Sequence, residues 1–180
     1  MLVVSILNLR MKFRLIIILL ICVSSSSFGQ VKAFDFSKLT FKGLEFRLSK
    51  DLVIKTFGLG EIIDPQYECG FYANDQQGAP FYQMSFNSFN YIGSDSEKFI
   101  LENVYFNLDS GLSIQYDRWT LNGQTTKADL VEIFGDYVKT YFANNPEVND
   151  ILIYDANGDD GVIFTFKENR LISFRYWSPC

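Results

Sequence analysis

The sequence predicts an α+β fold of two similar units, each a short helical segment packed on an antiparallel sheet. Three observations carry the prediction. A ten-residue stretch recurs about 80 residues further on, alternating apolar and polar segments follow each copy, and the chain holds 18 Phe and 10 Tyr to fill a sheet-backed core.

The chain opens on a different pattern. Met11-Lys12-Phe13-Arg14 gives a basic start, Leu15 to Val23 is apolar, and Ser24 to Gly29 is rich in small residues. That order is the plan of a secretory signal. Ser27 and Gly29 suit the two small pockets of a signal peptidase, which puts the cut after Gly29. The apolar run is far short of the ~20 residues that cross a bilayer. Met1 to Arg10 reads as a mis-assigned start or an extended basic end. A second reading makes Cys22 a lipid-anchored residue, but Ile21 stands where a lipobox requires a small side chain. The expected boundaries are a signal peptide over 1–29, a first unit over 30–117 and a second over 118–180.

Loss of Arg10, Lys12 and Arg14 with the signal leaves 13 basic against 21 acidic residues, a net charge of −8. Such a body lacks the basic face that nucleic acid requires. No integral membrane span is expected in the mature chain, and export to the periplasm or the medium is. Cys69 and Cys180 remain after Cys22 departs, and an even pair in an exported chain suggests a disulfide. It would close a loop of about 110 residues, an effect of ~4–5 kcal/mol on the chain-entropy model. Two unpaired thiols are the alternative.

The repeat aligns Ser49-Lys50-Asp51-Leu52-Val53-Ile54-Lys55-Thr56-Phe57-Gly58 with Thr126-Lys127-Ala128-Asp129-Leu130-Val131-Glu132-Ile133-Phe134-Gly135. Upstream, Thr40-Phe41-Lys42-Gly43 matches Thr120-Leu121-Asn122-Gly123. Downstream, Tyr72 to Phe86 resembles Tyr154 to Phe166. Each ten-residue copy reads as one helix. Ser49 and Thr126 are N-caps because a hydroxyl accepts from the unpaired donors of the first turn, and Asp129 completes a capping box at Thr126. Val53, Ile54 and Phe57 share one face, as do Leu130, Ile133 and Phe134. Gly58 and Gly135 end the helices by taking positive φ. Asp136 to Ala143 adds a further turn or two before Pro146.

Strands follow at Phe81 to Phe86, Val162 to Phe166 and Leu171 to Trp177, with Lys167-Glu168-Asn169-Arg170 as a turn. Val104 to Leu108 and Leu112 to Tyr116 read as a hairpin around Asp109-Ser110-Gly111. Ser88 to Glu102 is an extra segment of the first unit, with Ser94 to Glu97 as a solvated loop.

A hydroxyl-Lys start, an apolar pair and a closing Phe-Gly, followed by antiparallel strands and all present twice, resembles the β-lactamase-inhibitor-protein-like superfamily. A single unit is similar to the small outer-membrane assembly lipoproteins of the SmpA/OmlA type. The resemblance implies helices on one sheet face and contact with a protein partner. No inhibitory residue transfers by position, and Glu61-Ile62-Ile63-Asp64-Pro65 leaves little room for a second helix in the first unit.

Histidine is absent throughout, which removes Ser-His-Asp and Cys-His catalysis and most zinc sites. No catalytic residue and no cofactor is expected. Asp155, Asn157 and Asp159 occupy positions 1, 3 and 5 of a calcium loop, yet Asp160 stands at the glycine position and Phe166 at the bidentate glutamate. A polar hairpin turn around Asn157-Gly158 explains the same residues. Tyr176 and Trp177 are candidate binding aromatics on the last strand. The expected function is an exported, non-enzymatic protein-binding module. The alternatives are an envelope structural or assembly factor anchored through Cys22, and a carboxylate-based hydrolase.

Overall fold

Capping chemistry fixes where the helices begin and end. In the computed structural model, which describes residues 33–67, 72–73, 80–106 and 111–180, helix α1 spans Lys50–Phe57 and α2 spans Lys127–Phe134. The Ser49 hydroxyl accepts from the Leu52 amide, and Thr126 and Asp129 form the full reciprocal box. Gly58 and Gly135 lie at φ +83° and +76°, a region that disfavours any Cβ-bearing residue. Directly after Gly135, α3 runs over Asp136–Asn144. The predicted signal peptide, Cys22 and Cys69 lie outside the described residues.

Twelve strands and one 3-10 turn, Phe36–Lys38, make up the rest of the described structure. They are β1 Leu39–Phe41, β2 Leu44–Glu45, β3 Arg47–Leu48, β4 Glu61–Ile63, β5 Tyr82–Phe86, β6 Phe89–Gly93, β7 Phe99–Tyr105, β8 Ser113–Tyr116, β9 Trp119–Asn122, β10 Asp150–Tyr154, β11 Gly161–Lys167 and β12 Arg170–Trp177. Four of them form a small antiparallel sheet in the order β2-β1-β8-β9. The large antiparallel sheet runs β10-β11-β12-β7-β6-β5-β4, with β3 also paired to β7. Residues 31–180 form one compact unit.

One sequence expectation is corrected. Val104 to Leu108 and Leu112 to Tyr116 do not form a hairpin: β7 pairs with β3, β6 and β12, whereas β8 pairs with β1 and β9. Two strands flanking a polar turn look the same in sequence whether they pair with each other or with distant partners. The extra segment Ser88 to Glu102 supplies β6 and most of β7, and the loop expected at Ser94 to Glu97 lies between them.

The pleat divides the large sheet into two faces, because side chains alternate along each strand. One row in register, Ile151–Phe164–Phe174–Val104–Phe89–Phe86, faces the core. Phe164, Phe174 and Val104 are fully buried there, beneath the small sheet and the helices. Phe34 completes the core from the N-terminal side. It is fully buried against Tyr116, Phe134, Phe164 and Phe174, and its amide donates to the Tyr154 carbonyl at 2.8 Å.

Candidate binding face

The opposite face carries the neighbouring row, Leu152–Ile163–Arg175–Asn103–Asn90–Ser85–Glu61, which crosses the sheet from edge to edge. It changes character along its length. Leu152 and Ile163 are apolar, Arg175 is exposed, and Asn103 and Asn90 are buried amides bonded to each other at 3.0 Å.

Next to Arg175, the row Tyr154–Gly161–Trp177 brings two aromatic rings together across a glycine. The rings sit 5.7 Å apart and nearly perpendicular, a favourable edge-to-face geometry. Tyr154 is 49% exposed and Trp177 half-buried. Tyr105, 53% exposed, follows one residue pair further along β12, opposite Ser173.

A buried carboxylate marks the middle of this face. β6 and β7 lose register between Asn90 and Tyr91, which leaves Glu102 as an extra residue between Asn103 and Leu101. Such a bulge re-aims the side chain it inserts. Glu102 is 3% exposed and accepts from the Tyr67 hydroxyl, from Gln83 Nε2 at 2.8 Å and from Asn90 Nδ2 at 3.1 Å. Burial pushes its pKa above the ordinary value, against the opposing pull of those donors and of Arg175. Burial, and then the bond to Glu102, likewise raises Tyr67. With both oxygens engaged, Glu102 serves as an anchor for Tyr67 and the segment leading to it.

The structure separates the two aromatics offered by the sequence. Tyr176 is 6% exposed and packs on the core side against Phe36, Phe46 and Tyr72, so it is withdrawn from the surface. Trp177 alone reaches the binding face. Tyr154 joins it, and no periodicity in the sequence marks that residue, because strand register decides what lies beside Trp177. Glu102 escaped notice for the same reason.

Asp155, Asn157 and Asp159 fall in the connection between β10 and β11, closed by the Asp155 amide donating to the Asp160 carbonyl at 2.8 Å. Among the described residues no group of three acidic or thiol side chains is placed to hold a metal ion. Cys180 ends the chain three residues after β12. Among the described residues no helix is long and apolar enough to cross a membrane. Comparison with family models, with curated proteins and with solved structures finds no match for this chain.

Proposed function

We propose that this protein is an exported, non-enzymatic binding module that presents the face of its large sheet opposite the core to a protein partner. The observation that carries the reading is the grouping of Trp177, Tyr154, Tyr105 and Arg175 on one open face. Trp, Tyr and Arg are the side chains that dominate interface energetics. Glu102, the buried carboxylate on that face, is already bonded to three donors, which suits an anchor better than a general acid or base.

The reading includes a duplicated architecture. Exchanging β1 with β8, β2 with β9, β5 with β10, β6 with β11 and β7 with β12 leaves both sheet orders unchanged, β3 and β4 excepted. This sets Tyr82–Phe86 against Asp150–Tyr154, one strand earlier than the sequence alignment placed it. The proposal also includes a Cys69–Cys180 disulfide. The support for it is that the ring of Tyr72, three residues after Cys69 in sequence, lies 5.8 Å from that of Tyr176, four residues before Cys180.

The test is capture of envelope proteins on the immobilised mature chain, with Trp177→Ala and Tyr154→Ala alongside. A specific partner retained by the wild type and by the remote surface variant Glu132→Ala, and lost from both face variants, is the expected result. Capture indifferent to both face variants rejects the reading.

A further inference from the structure

The two edges of the large sheet are finished differently. At β10, the Tyr137 hydroxyl of α3 donates to the Leu152 carbonyl at 3.0 Å, and the Phe34 amide occupies the Tyr154 carbonyl. Both bonds cover backbone groups that an approaching strand would use. At β4, pairing among the described residues runs to β5 alone.

β4 also carries exposed apolar side chains. The row Leu101–Tyr91–Met84–Ile62 belongs to the core side, and its first three members are fully buried. Ile62, at the edge, is 52% exposed, and Leu59 just before the strand is 73% exposed. These are the two most exposed aliphatic side chains among the described large hydrophobics. The buried row therefore stops one strand short of being covered.

A groove of about 1010 Å³ opens at the start of β4, lined by Phe57, Leu59, Glu61, Phe86 and Lys42 among others. The Lys42 ammonium lies 5.2 Å from the Phe89 ring centre and 5.6 Å from that of Phe57. Among the described residues it forms no ion pair. A cation held over aromatic rings and not ion-paired, at the mouth of a groove that sets Phe57, Leu59 and Phe86 beside polar groups including Glu61, is complementary to an acidic group that brings an apolar neighbour.

We propose that the β4 edge and this groove dock an extended peptide segment of a partner protein. The segment adds to the sheet beside β4, its backbone meeting the edge that no described strand occupies. One apolar side chain extends the Leu101–Tyr91–Met84–Ile62 row, and a carboxylate two residues along, on the same face, meets Lys42. This surface lies at the β4 edge, four strands away from Trp177 on β12, so either assignment stands or falls alone.

The probe is a phage-displayed library of random decapeptides panned on the immobilised mature protein, followed by fluorescence-anisotropy titration of the enriched peptide. The expected peptide alternates apolar residues and carries Asp or Glu. Ile62→Glu and Lys42→Glu should each weaken it at least tenfold, and exchanging its acid for Lys should restore binding to Lys42→Glu. Trp177→Ala should leave binding unchanged, and bound peptide should slow amide exchange within Glu61–Ile63. The proposal is overturned by the absence of an enriched peptide, or by binding that ignores Ile62 and Lys42 or depends on Trp177. It is equally overturned if wild-type protein sediments as a dimer that Ile62→Glu dissociates, since a second copy then occupies the edge.

Discussion

Tyr154 and Trp177 meet edge to face, 5.7 Å apart, across Gly161, the residue that pairs with both. The glycine has a second role besides leaving room for the rings. A Cβ at Gly161 would lie 2.8 Å from the Ile153 carbonyl oxygen and 2.9 Å from Leu152 Cδ1, so the backbone of β10 would have to move. Gly161→Ala should cost about 1–3 kcal/mol, the usual range for overpacking, measured by urea unfolding. It should also disturb the Trp177 fluorescence of the folded protein.

Tyr91 offers the opposite experiment. Its ring is fully buried beside Phe57 and Phe89, and its hydroxyl has no hydrogen-bond partner among the described residues. An unpaired buried hydroxyl costs free energy that phenylalanine does not incur. Tyr91→Phe should therefore raise unfolding stability, by about 1 kcal/mol on that scale. A loss of stability would show that the hydroxyl is satisfied in solution.

Phe34 ties the start of the described chain into the core of the second half. Its ring lies 4.6 Å from Tyr116 and 5.9 Å from Phe134, and it is fully buried. Phe34→Ala should destabilise the fold by about 3–5 kcal/mol, as for other buried aromatics truncated to alanine. Thermal unfolding by circular dichroism measures the effect.

Glu102 predicts a pH dependence. Its native pKa is raised from 4.5, chiefly by burial, so between 4.5 and the raised value the native state binds more protons than the unfolded chain. This group's contribution to stability is accordingly greatest at acidic pH and falls as pH rises through that window. Urea midpoints collected across the window should show a declining component, and Glu102→Gln should remove it whatever its effect on absolute stability.

The proposed Cys69–Cys180 bond has a direct readout. Peptide mass mapping without reductant should recover a fragment joining the two cysteines, which separates on reduction. Two independently alkylated thiols in the non-reduced digest would show that the contact of Tyr72 with Tyr176 forms without it.

Much of the local structure was legible in the sequence because local chemistry dictates it. Ser49, Thr126 and Asp129 fix helix starts through backbone donors within three residues, and Gly58 and Gly135 fix helix ends through their own φ. The alternation over Val162 to Phe166 and Leu171 to Trp177 marked two strands. What the tertiary structure alone decided is which strands become neighbours. Val104 to Tyr116 looked like a hairpin, yet its two strands joined different sheets, since pairing depends on partners about 70 residues distant. The same register brought Tyr154 beside Trp177, and a one-residue bulge gathered Gln83, Asn90 and Tyr67 around Glu102. The sequence by itself determined the elements and their caps; long-range register, which no local preference encodes, brought Trp177, Tyr154, Tyr105 and Arg175 onto one face.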